Sequence, residues 1–134
     1  MLLTKIALTN FRNLDSKVID LNENITIVTG PNSIGKTNIL EATYLLMTGS
    51  GIKDEKQDEL IKIDEKISTI EGQITDQKST TIFRVYLERN DAVKKVFSIN
   101  KTQKRLFEYA KQTIPAVFFT PKLVHVIDGE PSGR

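Results

Sequence analysis

The segment Gly30-Pro31-Asn32-Ser33-Ile34-Gly35-Lys36-Thr37 matches the phosphate-loop pattern G-x-x-x-x-G-K-[ST] at every required position. Its flanks agree with that reading. Ile25-Thr26-Ile27-Val28-Thr29 is a short β-branched run of the kind that makes a buried strand. From Thr37 to Met47, apolar residues at 39, 40, 42, 45, 46 and 47 follow helical spacing. Strand, glycine loop and helix form a phosphate cradle. Gly30 and Gly35 open backbone conformations closed to other residues, so that successive N–H groups turn into one concave nest. The helix start adds free donors and the positive end of its dipole. Lys36 would reach the β- and γ-phosphates, and the Thr37 hydroxyl would ligate Mg²⁺. An ordinary glycine turn capping a helix leaves both the flanks and the Lys-Thr pair unexplained. The pattern implies binding of a nucleoside triphosphate.

The chain has 134 residues, enough for one domain with its own core. It has no cysteine, so disulfides and thiolate metal sites are excluded; a reducing cytoplasm suits such a chain. Lys5 breaks the apolar run at Met1–Leu8, no signal peptide is read there, and no stretch is apolar enough to predict a membrane span. A net charge of +2 does not by itself announce a nucleic-acid binder.

Alternation predicts strands at Leu2–Thr9 and Lys17–Leu21, with Asn10-Phe11-Arg12-Asn13 in the turn between them. Gly49-Ser50-Gly51 should end the helix. Asp54–Asp64, the most charged stretch, reads as a short surface helix with a solvated face. From Lys66 the period changes to two. Ile70, Gly72 and Ile74, then Phe83, Val85 and Leu87, then Val93, Phe97 and Ile99 predict an antiparallel layer over about 66–100, turning at Asn90-Asp91. Lys104–Thr113 reads as a helix, and Ala116–Phe119, between Pro115 and Pro121, as a buried strand. The fold class expected is α/β: a P-loop NTPase half joined to an antiparallel β-subdomain.

Four stretches then resemble the RecF family of bacterial recombination and repair ATPases, which belong to the ABC-type ATPases related to SMC proteins. Leu8-Thr9-Asn10-Phe11-Arg12-Asn13 is similar to that family's opening L-x-N-F-R-N. Gly35-Lys36-Thr37-Asn38-Ile39-Leu40-Glu41-Ala42 matches its extended phosphate loop. Asp58-Glu59-Leu60-Ile61 is a weaker likeness. Phe119-Thr120-Pro121 and Gly129-Glu130-Pro131-Ser132-Gly133-Arg134 resemble its F-[ST]-P and G-x-P-x-x-R-R segments.

The resemblance implies lobe I of an ABC ATPase head across residues 1–134, incomplete because the helical arm, signature motif and Walker B strand would follow Arg134; the chain is thus expected to be an N-terminal fragment. It implies an ATP site formed by Gly30, Pro31, Asn32, Ser33, Ile34, Gly35, Lys36, Thr37 and Asn38. Arg12 and Asn13 would lie beside the nucleotide, and Thr120, in the segment 118–122, would stand at the Q-loop position. ATP and Mg²⁺ are the implied cofactors. Implied partners are gapped or junction DNA, recombination mediator proteins and a second copy of the protein on ATP binding, in the cytoplasm.

Lys122, Gly51-Ile52-Lys53, Ser33 and Ile34 depart from the family's usual residues. The run Leu123–Asp128, followed by Glu130, imitates a Walker B strand, but the resemblance places it after the Q-loop position. His125 in that run is read as a packing residue. Lys94, Lys95, Lys101, Lys104 and Arg105 would form a DNA-binding face if they share one; a lysine-protected sheet edge accounts for them equally well. A small-molecule kinase is disfavoured by the scarcity of arginine. A GTPase is disfavoured because Gln103 stands where Asn100-Lys101-Thr102 would need an aspartate. A nucleotide-binding interaction module without turnover remains an alternative. Turnover by this chain alone is expected to be negligible.

Overall fold

The computed structural model describes residues 1–31, 35–52 and 56–120. Among the described residues six strands form one antiparallel sheet: β1 (Leu2–Phe11), β2 (Leu14–Asp20), β3 (Ile67–Thr75), β4 (Thr80–Arg89), β5 (Val93–Ile99) and β6 (Thr102–Lys104), in the order β2-β1-β3-β4-β5-β6. Period-two alternation sends Ile6, Leu8, Ile70, Ile74, Phe83, Val85, Leu87, Phe97 and Ile99 to one face, where all are buried. On the opposite, wetter face Arg84 pairs with Glu71 across β3 and β4.

Helix α1 (Lys36–Thr48) covers the apolar face through Ile39, Ala42, Leu45, Leu46 and Met47, and stops at Gly49, whose N–H bonds the Leu45 carbonyl at 2.8 Å. Gly72 makes the close approach possible. A Cβ there would lie 2.3 Å from Leu46 Cδ2, so the sheet presents a notch where the helix sits. Helix α2 (Leu106–Gln112) inserts Tyr109 between Phe83 and Phe97, with ring centroids 5.6 and 5.0 Å away.

Tyr109 Oη also donates to the Leu46 carbonyl at 2.7 Å, and Thr113 Oγ1 donates to the Met47 carbonyl. Both acceptors belong to the last turn of α1, whose carbonyls have no partner within the helix. Thus α2 closes the C-terminal end of α1.

The meander, α1 and its glycine stop follow the sequence reading. Other segments differ. Asn10 and Phe11 extend β1, leaving Arg12 and Asn13 as the turn, and β2 begins at Leu14. β6 was not anticipated. It follows β5 through Asn100-Lys101, both with positive φ (48° and 69°), the two-residue hairpin geometry that matches strand twist. Consequently α2 starts at Leu106 and not at Lys104.

The two predicted buried strands do not form. Residues 25–29 pair with nothing among the described residues, and Ile25 and Ile27 are 75% and 78% exposed. Residues 116–119 belong to no strand, with Val117 and Phe119 82% and 84% exposed. β-branched runs supply strand propensity, but a buried strand needs neighbours on both sides, and the described sheet ends at β2 and β6.

The charged stretch is also not a surface helix. Among its described residues only Gln57–Glu59 make a 3₁₀ turn, and the following Leu60 and Ile61 are buried, Ile61 bridging Phe11. Burial of two apolar residues outweighed the charge around them. Asn32, Ser33, Ile34, Lys53, Asp54, Pro121, Lys122, His125, Asp128, Glu130 and Arg134 lie outside the described residues.

Candidate phosphate-binding site

The site is built at the N-terminus of α1. Gly35 precedes the helix with φ 87°, a left-handed conformation costing other residues about 1 kcal/mol. It is also held close by its neighbours: a Cβ there would lie 2.7 Å from Asn13 Oδ1 and 3.0 Å from Leu14 Cδ2. No other residue type satisfies both demands. The next residue, Lys36, bends its ammonium back onto the Gly30 carbonyl, so the cation is gathered over the loop. Thr37 is exposed on the first turn, open to a ligand. The Ile39 N–H takes up the Gly35 carbonyl at 3.1 Å, beginning the helical ladder.

The turn between β1 and β2 is docked onto this start. Asn38 Nδ2 donates to Asn13 Oδ1 at 2.6 Å. Arg12 Nε lies 2.6 Å from Glu41 Oε2, on the second turn of α1, with both side chains largely buried. Its Nη1 is 4.0 Å from Glu59 Oε2. The structure therefore brings Arg12, Asn13, Gly35, Lys36 and Asn38 together at the start of α1. In this state Arg12 is engaged by carboxylates.

Gly30 and Pro31 enter the same loop. Thr120 ends the described segment, half-buried, two residues after Phe118, whose ring lies 5.7 Å from that of Tyr44 on α1. That contact sets Phe118 against α1.

The role of the 56–65 loop was missed. The Arg12 N–H bonds the Leu60 carbonyl at 2.8 Å and the Lys62 N–H bonds the Asn10 carbonyl at 2.9 Å, clasping the turn from both sides of Phe11. The signal available was the apolar pair Leu60-Ile61 inside a charged run.

The basic residues divide. β5 alternation and the Phe97–Lys104 pairing put Lys95 and Lys104 on the helix side and Lys94 on the other. Lys95, Lys104 and Arg105 line an open cleft of about 540 Å³ with Gln103, Leu106 and Glu108. A neighbouring cleft of about 480 Å³ shares Lys95 and reaches Gly49–Ile52. Lys101 lines a third cleft with Glu71 and Arg84. Among the described residues, no cluster of three or more His, Asp or Glu side chains is arranged to hold a metal, and no helix is long and apolar enough to cross a membrane.

Comparison with known proteins agrees with this geometry. An AAA ATPase domain family profile matches residues 1–124. "DNA replication and repair protein RecF" of Geobacillus sp. (strain WCH70) is 30% identical over the whole chain, which spans 35% of that protein. RecF of Oceanobacillus iheyensis is 31% identical over the whole chain and 36% of its own length. Among solved structures, the recombination mediator protein RecF with ATP superposes with a TM-score of 0.80 at 28% identity, covering 97% of this chain and 36% of that one. An SMC ATPase structure superposes equally well, with a TM-score of 0.80 over 98% of this chain and 93% of that one, at 15% identity, a likeness of fold. The chain spans about a third of the length of the RecF proteins it matches. Its fold is that of a P-loop ABC-type ATPase head, here represented by the antiparallel sheet and the phosphate-loop helix. The chain belongs to the AAA ATPase domain family and resembles RecF from its first residue to its last.

Proposed function

We propose that this chain binds ATP with Mg²⁺ at the N-terminus of α1, forming the phosphate-loop side of a RecF-like ATPase head. The observation that carries the reading is the junction at Gly35, where a left-handed glycine, the gathered Lys36 ammonium and the docked Asn13 side chain meet at a helix start. Backbone donors and the helix dipole there favour a polyphosphate. Lys36 and Arg12 supply positive charge beside it, and Thr37 offers the hydroxyl that would hold Mg²⁺ against the phosphates. Asn32, Ser33 and Ile34 complete the loop in this reading, and Thr120 approaches the γ-phosphate side. Titration of a fluorescent ATP analogue tests it: Lys36→Ala and removal of Mg²⁺ should each weaken binding at least tenfold. Equal affinity in all three conditions would refute it.

In the whole proteins that this chain resembles, we place the same site between two heads, with ATP joining a homodimer and with hydrolysis requiring a signature motif from the second head. DNA repair at gapped or junction DNA, together with recombination mediators in the cytoplasm, is the cellular role proposed. Lys95, Lys104 and Arg105, lining one cleft with a single carboxylate, support phosphate contact there. A nucleotide-binding interaction module without turnover is the second reading. It is favoured by Glu41 and Glu59, two acids near the site that are occupied by Arg12. Phosphate release on adding DNA and ATP separates the two.

A further inference from the structure

Arg89 ends β4, away from the phosphate loop, yet its guanidinium is committed to one task. Nη1 donates to the Glu65 carbonyl at 3.2 Å, and Nη2 to the carbonyls of Ile61 at 3.0 Å and Asp58 at 2.5 Å. Its backbone N–H bonds the Lys66 carbonyl at 2.8 Å. One planar fork thus ties three points of the 56–65 loop, which a lysine's single ammonium would reach less completely.

That loop in turn clasps the turn that carries Arg12. Asn10 and Arg12 both have positive φ (50° and 51°), which asparagine adopts readily but arginine uncommonly, so the Arg12 conformation depends on its surroundings. The Leu60 carbonyl and the Lys62 N–H hold the turn, one on each side of Phe11. Glu59, on the same loop, faces the Arg12 guanidinium.

We infer that Arg89 is a positioning residue for Arg12: by fixing the 58–65 loop, it holds the Arg12 turn in the geometry that receives the nucleotide, without touching the nucleotide itself. The inference rests on the proposed placement of Arg12 beside ATP.

The test is a double-mutant cycle on ATP affinity, measured with the fluorescent analogue on the full chain. Arg12→Ala should weaken binding about tenfold, the loss of one charge-assisted contact. Arg89→Met should weaken it about three- to fivefold, if the competent turn falls to roughly a quarter of the population. The double variant should bind no more weakly than Arg12→Ala alone, because Arg89 acts only through Arg12. Arg89→Lys, which keeps the charge and stem, should fall between wild type and Arg89→Met and gives the same cycle if Arg89→Met does not fold.

If Arg12→Ala binds ATP like wild type, the placement of Arg12 fails, and this inference with it. If Arg12→Ala weakens binding while Arg89 variants do not, or if their effects multiply in the double variant, Arg89 has no positioning role and the inference alone is overturned.

Discussion

Tyr109→Phe deletes one oxygen from the buried junction between the helices. The Leu46 carbonyl would be satisfied within α1 by residue 50, but the helix ends at Thr48 and the Ser50 N–H bonds Thr48 Oγ1 at 3.1 Å. Tyr109 Oη is its partner, at 2.7 Å, with the whole residue buried. Removing the hydroxyl leaves a buried acceptor unpaired, a loss of about 1–3 kcal/mol. At about 1.5 kcal/mol, a chain of this size should melt roughly 5 °C lower.

The same burial pushes the Tyr109 phenol up from its ordinary pKa. Below about pH 10 the phenol is protonated in both the folded and unfolded states, and its contribution is complete. Above that pH the unfolded chain loses the proton while the folded chain keeps it. Stability then falls by as much as about 1.4 kcal/mol per pH unit until the raised folded value is reached. The variant lacks this loss. Urea unfolding at pH 8 should therefore show wild type ahead by about 1.5 kcal/mol, and the two should converge about one unit above pH 10. A difference below about 0.5 kcal/mol at pH 8, or one constant from pH 8 to 11, would refute the capping argument. ATP affinity should be unchanged, since the junction lies roughly 16 Å along α1 from the phosphate loop.

Gly35→Ala should weaken ATP binding more than tenfold and lower stability by about 1–3 kcal/mol, combining left-handed strain with the clash at Asn13, as read by nucleotide titration and thermal melting. Changing Lys95, Lys104 and Arg105 together to Gln should weaken binding to gapped duplex DNA and flatten log K against log salt by about 2–3, measured by fluorescence anisotropy; Lys94→Gln and Lys101→Gln, on other surfaces, should do neither. Gly72→Ala should cost about 1–3 kcal/mol by forcing Leu46 off the sheet, checked by urea unfolding.

What the sequence revealed depended on how local each signal was. Helix α1 and the strands of the 67–99 meander each rest on periodicity within one element, and they appear where they were expected. Residues 25–29 and 116–119 carried the same apolar signal, but their pairing depends on neighbours that no local pattern specifies. Leu60 and Ile61 were hidden because charge averaged over Asp54–Asp64 outweighed two buried side chains. At the site, Gly35, Lys36 and Thr37 were legible by spacing. The docking of Asn13 on Gly35, the grip of Glu41 on Arg12, and the brace from Arg89 join residues distant in sequence and became visible only in three dimensions. The five basic residues fall close together in sequence, between 94 and 105, yet strand alternation and a two-residue hairpin distributed them over different surfaces.

The most direct measurement is amide hydrogen exchange on the chain with and without MgATP. The account predicts new protection concentrated at residues 30–38 and at the Arg12–Asn13 turn, and its loss in Lys36→Ala. Protection confined to the cleft around Lys95, Lys104 and Arg105, or no protection at saturating nucleotide, would contradict it.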